Sequence, residues 1–234
     1  MNLFRPSFFL FFIALLLIGM ASAAWAQRGR AYPTRPGFYI GGFGAHNSVG
    51  GGFDGETTVV DLDKGLAISV PKIEAFFGYG GAVGLRTLQG GFEVNYQRYR
   101  HDVSWTALGL TTHSNATVEY VNIALKRCWL PREQIQPVLH LGWIPYSRVN
   151  VTDGMLTPRG LSDTRYRGTP FGFNGGLGLL VHLGERLSAE GLALYRYVKY
   201  EQIEAVNGAG MIERADPISG NGFNGLIGLS WVLF

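Results

Sequence analysis

The residues best suited to chemistry are a histidine and a serine that follow one another, His113 and Ser114. A histidine that takes the hydroxyl proton is the usual way to make a serine nucleophilic. Neighbouring side chains of a β-strand point to opposite faces, so a regular strand would separate this pair. Two interpretations stay open, a catalytic dyad and the polar edge of a loop. The histidines are otherwise scattered and no Cys, His and Asp cluster has metal-ligand spacing, so we expect no metal and no cofactor.

A second set of polar residues alternates with apolar ones, as where Glu93, Asn95 and Gln97 interleave with aromatic and aliphatic residues. If such strands close into a small barrel, one face of each strand fills the interior, where charges must be paired. Both a polar plug that holds the barrel shut and a path for protons or ions fit this pattern. The predicted interior network consists of Glu74, Glu93, Asn95, Gln97, Asn122, Lys126 and His140.

The elements that position these side chains are eight apolar runs, and most of them alternate with a period of two residues. The connections alternate strictly between long and short, which is the pattern of an up-and-down barrel. In the seventh run, Glu190 and Arg196 alternate in step with Leu192 and Leu194, so a regular strand would place charges and leucines on the same face. We therefore expect a bulge there. The predicted strands are 37–44, 72–79, 83–101, a strand around 121–126, 138–146, 171–183, 187–200 and 222–234. Short turns are predicted at 80–81, 131–133 and 184–186, and long polar loops at 45–70, 103–116, 147–169 and 201–220.

The composition suits a membrane barrel. The chain has 34 glycines and 13% aromatic residues, whereas charged residues are 16% against a typical value of ~25%. After residue 26, Gly or a charge interrupts every apolar run long before the ~20 residues that a membrane helix requires. The net charge of +3 is too small to indicate nucleic-acid binding. A soluble barrel with an apolar interior is the alternative, because alternation alone does not say which face is inside.

Both ends of the chain favour the membrane version. Residues 1–26 resemble a secretory leader with a small-residue cleavage site at Ala24 and Ala26, although a retained anchor would also be apolar. A periplasmic lead of 27–36 and a barrel domain of 37–234 are then expected. The last run is apolar and aromatic, as a closing strand must be. We expect it to carry the barrel-assembly signal at Trp231, Val232 and Phe234.

Three stretches resemble the small eight-stranded outer-membrane barrels of the OmpA-like and opacity-protein-like superfamily. Residues 37–44 are similar to the aromatic and glycine-rich opening strand of that superfamily. Residues 74–79 and 91–96 together are similar to its second hairpin, and residues 225–234 are similar to its closing strand. The resemblance covers 37–234 and implies an all-β, antiparallel, eight-stranded transmembrane barrel. Val232 departs from the family, which usually has an aromatic residue there.

The resemblance also implies a function and partners. It implies a monomeric, non-catalytic protein of the bacterial outer membrane with a structural, adhesin-like or opacity-like role through four extracellular loops. Expected partners are outer-membrane lipid and lipopolysaccharide, the barrel-assembly machinery and a host or surface ligand, without nucleic acid. One alternative is a lipid A 3-O-deacylase, whose His-x-Ser-Asn-Ala motif is similar to 113–116 except that the spacer is missing. A narrow pore is the other alternative.

Aromatic and basic residues are expected near the membrane surfaces, because tyrosine and tryptophan combine an apolar ring with a polar tip. Arginines near the long loops could contact lipid A phosphates, or they could be solvated loop charges. The arginines are Arg98, Arg100, Arg148, Arg165 and Arg167. The predicted aromatic belts are Tyr39, Tyr79, Trp129 and Trp231 at the short-turn end, and Tyr99, Tyr120, Tyr146 and Tyr197 at the long-loop end.

Overall fold

The computed structural model describes residues 36–107, 110–130 and 133–233. The predicted leader with Ala24 and Ala26, most of the lead 27–36, the predicted turn residues Pro131 and Arg132, and Phe234 therefore lie outside the described residues. The strands are β1 (Gly37–Asn47), β2 (Thr58–Asp61), β3 (Leu66–Ser69), β4 (Lys72–Ile73), β5 (Phe76–Thr87), β6 (Gly90–Ala107), β7 (Leu110–Cys128), β8 (Ile135–Thr157), β9 (Gly160–Gly168), β10 (Gly172–His182), β11 (Leu187–Tyr197), β12 (Lys199–Ala205), β13 (Met211–Ser219) and β14 (Gly222–Val232).

Eight of these strands form a closed antiparallel barrel. Each pairs with its neighbours in the order β1, β5, β6, β7, β8, β10, β11, β14, and β14 pairs with β1 to complete the ring. The opening strand meets the closing strand from the pair Tyr39–Val232 to the pair Asn47–Asn224. The part of the chain that the structure describes has no helix long and apolar enough to cross a membrane. The fold is thus the predicted eight-stranded up-and-down barrel.

The two faces of each barrel strand differ in polarity, because successive side chains point to opposite sides. Glu93, Asn95 and Gln97 of β6 are buried inside, whereas Phe92 and Tyr96 are each 42% exposed on the outside. Other large apolar side chains also face outward and form a continuous apolar band. Examples are Ile40, Tyr79, Val83, Leu125, Leu141, Trp143, Phe173, Leu177, Phe223, Ile227, Leu229 and Trp231.

The predicted turn at Gly80 and Gly81 is wrong, because both residues lie in the middle of β5. A side chain at Gly80 would have its Cβ 2.4 Å from the Tyr96 carbonyl oxygen, so glycine there permits the close approach of β5 to β6. The chain turns eight residues later. There the Thr87 hydroxyl donates to the Gly90 carbonyl oxygen at 3.1 Å, between the two strands.

The predicted long loops are largely β-structure rather than irregular chain. Strands β6, β7 and β8 continue beyond the barrel ring, and β8 pairs with β9, β9 with β12 and β12 with β13. The β2–β3 hairpin joins the other side of β8. We call this extension at the long-loop end the upper tier. Its interior is apolar, with fully buried side chains that include Ile68, Val70, Val118, Val149, Met155, Tyr166, Val198, Tyr200 and Ile203.

The first connection packs into the upper tier through Phe53. Its ring makes edge contacts with Tyr166 and Tyr200, each with centroids 5.4 Å apart. The approach requires Gly51, which has φ of +76° and whose hypothetical Cβ would lie 2.5 Å from the Ser219 hydroxyl oxygen. The predicted polar loop 45–70 therefore closes one side of an apolar core.

Two sequence interpretations of individual side chains are wrong. Tyr39, Tyr99 and Tyr120 do not belong to an aromatic belt, since they are buried inside the barrel and Tyr120 is 0% exposed. No register shift interrupts the pairing of β11 with its neighbours, so the expected bulge near Glu190 and Arg196 is absent from this strand. Leu192 and Leu194 of β11 face inward together with these charges.

Candidate functional site

A lysine held between two carboxylates lies at the centre of the barrel interior. The Lys126 Nζ atom is 2.7 Å from Glu93 Oε2 and 2.7 Å from Glu190 Oε2. The three side chains are 9%, 6% and 17% exposed, so water screens their charges little. Because one ammonium serves two carboxylates, this Lys126 triad has a formal net charge of −1.

The strands bring the triad together from different parts of the ring. Glu93 and Lys126 lie on the neighbouring strands β6 and β7. Lys126 pairs with Gly91, which is two residues before Glu93 and on the same face of β6. Glu190 comes from β11, so the lysine spans the interior to reach it. An eight-stranded barrel is narrow enough for one side chain to do so.

Below the triad, towards the short turns, an arginine cross-links two strands. The Arg86 guanidinium donates to the hydroxyls of Ser188 at 2.9 Å and Ser230 at 2.8 Å. It also lies over the Tyr39 ring at 4.8 Å, while the Tyr39 hydroxyl donates to Glu93 at 2.7 Å. Tyr39 therefore connects the buried arginine to the Lys126 triad.

Above the triad, a chain of hydrogen bonds follows the inner face of β6. Asn95 Nδ2 donates to Glu93 at 2.9 Å, and Gln97 Nε2 donates to Asn95 at 2.8 Å. The Gln97 amide oxygen accepts from the hydroxyls of both Tyr99 and Tyr120. Charge at the triad is thus linked through neutral amides to a tyrosine layer, above which the apolar interior of the upper tier begins.

A fully buried arginine lies at that boundary. Arg196 is 0% exposed, its guanidinium carbon lies 5.1 Å from the Tyr120 ring centroid, and Nη2 donates to the Ser48 carbonyl oxygen at 3.3 Å. None of the described carboxylates forms an ion pair with it. Nearby, His101 Nδ1 donates to the Glu74 carbonyl oxygen at 2.6 Å.

The predicted interior residues do not all meet. Glu93, Asn95, Gln97 and Lys126 belong to one network, whereas Asn122 and His140 form a separate pair at 3.2 Å between Nδ2 and Nε2. The placement of Glu74 in the interior is wrong. It is exposed, because it belongs to the connection between β4 and β5 and precedes the barrel strand.

The candidate dyad is not assembled. His113 and Ser114 lie in regular pairing with β6, opposite Ser104 and Val103, so their side chains take opposite faces of β7. The Ser114 hydroxyl donates to the Thr152 carbonyl oxygen at 2.8 Å. Among the described residues, no group of His, Cys, Asp and Glu is arranged to hold a metal ion.

The closing strand has a defined facing. Val232 points inward and is 3% exposed, and Trp231 points outward and is 46% exposed. Val232 therefore fills the interior, and Trp231 occupies the outer surface.

Sequence reasoning missed Glu190, Arg86 and Arg196 as interior residues. Arg86 lies on the inner face of β5, which was predicted to end at residue 79 but continues to Thr87. The signal for Glu190 was its parity with Arg196, Leu192 and Leu194. These four share one face because the interior contains leucines as well as charges.

The chain matches no protein-family model and no curated protein sequence. The crystal structure of Neisserial surface protein A (NspA) superposes with a TM-score of 0.51 at 13% identity, covering 84% of this chain and 97% of that chain. The outer membrane protein OprG from Pseudomonas aeruginosa gives a TM-score of 0.52 at 14% identity, covering 86% of this chain and 97% of that chain. At such identities the similarity shows a shared barrel fold.

Proposed function

We propose that this chain is a non-catalytic, closed barrel of the bacterial outer membrane that presents its upper tier to the exterior. The outward apolar band supports the membrane location, since it surrounds strands whose interior is polar. The low-identity neighbours, a surface protein and an outer membrane protein, agree with that location. The upper tier, rather than four flexible loops, would then be the surface that meets a host or surface ligand.

The Lys126 triad carries the proposal of a closed interior. It crosses the barrel interior, and the cavity beside it, lined by Tyr39, Glu93 and Glu190, measures about 30 Å³. A volume of this size holds about one or two water molecules. Above it lie the buried tyrosine layer and the apolar interior of the upper tier, which also favour a closed interior.

Single-channel recording in planar bilayers tests the closed interior. Folded, purified protein should give no steady conductance, while a porin of known conductance in the same bilayer controls for sensitivity. A reproducible conductance that changes when Glu190 is replaced by Gln would contradict the proposal and support the narrow pore.

Epitope tags test the orientation. A tag at Asn207, in the turn between β12 and β13, should be reached by antibody on intact cells, and a tag at Glu185, in a short turn, should not. The reverse result would place the upper tier in the periplasm.

An assay of lipid A acylation tests the absence of catalysis. Because His113 and Ser114 point apart, purified protein should release no acyl chain from lipid A, and Ser114→Ala should change nothing. Acyl release that is lost in Ser114→Ala would establish the enzymatic alternative.

A further inference from the structure

Arginines occupy two neighbouring rows on one side of the outer surface. Strand pairing aligns Arg98 of β6 with Glu119 of β7, then with Arg148 of β8 and Arg167 of β9. The next row aligns Arg100, Thr117, Asn150, Arg165 and Glu204 on β6, β7, β8, β9 and β12. We call Arg98, Arg100, Arg148, Arg165 and Arg167 the arginine band.

Two glutamates hold four of these guanidinium groups without neutralising them. Glu119 contacts Arg148 at 2.5 Å and Arg98 at 3.5 Å. Glu204 contacts Arg165 at 2.7 Å and Arg167 at 2.9 Å. Each carboxylate is therefore shared by two arginines, which leaves N–H donors on both free to bind another anion.

The fifth arginine adds to the excess of positive charge. Arg100 is exposed and forms no ion pair with any residue that the structure describes. Arg98 and Arg167 remain 41% and 52% exposed despite their glutamate partners. The ion pairs orient the guanidinium groups in two rows and leave them accessible.

The surface directly beneath the arginine band indicates what contacts it. The row below Arg98 and Arg148 contains Tyr96 and Tyr146, with Val121 between them. The next two rows of the same three strands are apolar throughout. They consist of Val94, Ile123 and Trp143, and then of Phe92, Leu125 and Leu141.

We propose that the arginine band binds phosphate groups carried by lipid headgroups of the outer leaflet. The inference rests on the proposed membrane location, in which the apolar rows contact acyl chains and the tyrosines lie at the interface. Phosphates attached to those chains would then meet the guanidinium groups one row higher. Arginine suits this ligand because its planar fork donates two parallel hydrogen bonds to phosphate.

The test measures lipid binding to the purified barrel in nanodiscs, with lipid A that carries its phosphates and lipid A from which they have been removed. The unmodified chain should bind the phosphorylated lipid about tenfold more tightly, which corresponds to ~1.4 kcal/mol. Arg98→Gln with Arg148→Gln should abolish that preference. Arg127→Gln is the matched control, because Arg127 is exposed on the same strand β7 at the short-turn end.

A second variant should strengthen lipid binding rather than weaken it, and it leaves every arginine in place. Glu119→Gln removes the carboxylate that competes for Arg98 and Arg148, so phosphorylated lipid should bind severalfold more tightly. Weaker binding in Glu119→Gln would mean that these contacts are only structural ion pairs and would overturn the proposal.

Competitors distinguish the source of the phosphate. Inorganic phosphate and a soluble sulfated polysaccharide should displace the lipid only weakly. Displacement as strong as that by phosphorylated lipid, or equal binding of the two lipid A forms, would overturn the assignment to lipid. Neither result would affect the conductance or tag experiments, so the two proposals fail separately.

Discussion

A buried lysine with two carboxylates is electrostatically unbalanced, and its neighbours reduce the imbalance. The Tyr39 hydroxyl and the Asn95 amide donate to Glu93, which spreads its negative charge over two further groups. Arg86, stacked on the Tyr39 ring, brings a positive charge to the layer below. Removing the ammonium from this arrangement would leave two buried carboxylates facing one another.

Lys126→Met should therefore destabilise the folded barrel. Breaking a buried ion pair by removing one partner costs ~3–5 kcal/mol, because the remaining charge is left uncompensated. Urea unfolding in detergent or lipid would measure the loss. Lys64→Met is the matched control, since Lys64 is 53% exposed and its solvent-screened pair with Asp61 should leave the stability nearly unchanged.

Adding Glu190→Gln to Lys126→Met separates the two partners. The double variant should recover part of the lost stability, because one of the two repelling carboxylates becomes neutral. A gain in stability from Lys126→Met alone would contradict the inward orientation of this lysine, since that result is expected for a lysine facing lipid.

At the scale of the strands, the pairing register of the barrel depends on glycines that let the backbones of neighbouring strands approach closely. A Cβ at Gly176 would lie 2.0 Å from the Ala193 carbonyl oxygen, where β10 meets β11. Gly176→Ala should cost ~1–3 kcal/mol by forcing the backbones apart. Gly225→Ala, whose Cβ would meet nothing within 4 Å, should be neutral or slightly stabilising. Equal effects in urea unfolding would contradict this explanation.

The β9–β12 pair of the upper tier should respond to pH through Glu204. Burial alone would raise the pKa of Glu204, but hydrogen bonds from Arg167 and Arg165 outweigh it and hold the pKa below its usual range. A carboxyl group with a lowered pKa in the folded state stabilises that state above its unfolded pKa, and the contribution disappears as the pH falls through the folded value.

Hydrogen exchange of the β9 and β12 amides, corrected for intrinsic rates, would measure this dependence. Protection should fall between neutral and strongly acidic pH in the unmodified chain. Glu204→Gln should have reduced protection at neutral pH and a flatter profile. Glu213→Gln on the neighbouring strand is the control, because Glu213 accepts from Gln202 rather than from an arginine. If the two variants had identical protection profiles, Glu204 and its arginine partners would not stabilise the β9–β12 pairing.

Alternation of residues predicted the barrel strands but not the upper tier. In 147–157 the inward residues Val149, Val151 and Met155 are separated by Arg148, Asn150 and other polar residues, so the stretch resembles a loop in composition. Neighbouring strands can be paired from sequence order, which is why Glu93 and Lys126 could be assigned to one interior network. Glu190 is 64 positions away and lies across the interior, so no local pattern connects it to the lysine.

At the scale of the whole molecule, two interiors of opposite character are stacked along one set of strands. The barrel ring has a polar interior and an apolar exterior, as suits lipid. The upper tier reverses this order, with Met155, Tyr200 and Ile203 at 0% exposure and charged side chains outside. The tier should therefore depend on the hydrophobic effect in water, whereas the ring depends on polar pairing inside the membrane.

This division predicts that the upper tier can be weakened without unfolding the ring. Ile203→Ala should cost ~2–5 kcal/mol in the tier, because it leaves a cavity among fully buried neighbours. In limited proteolysis of protein reconstituted in lipid, the β8–β9 and β12–β13 hairpins should be cleaved faster. The shift in gel position between unheated and heated samples, which reports the closed ring, should remain. Leu62→Ala is the matched control, since Leu62 is 87% exposed and contributes little to the core. If Ile203→Ala abolished the gel shift as well as exposing the hairpins to the protease, the ring and the tier would unfold as one cooperative unit.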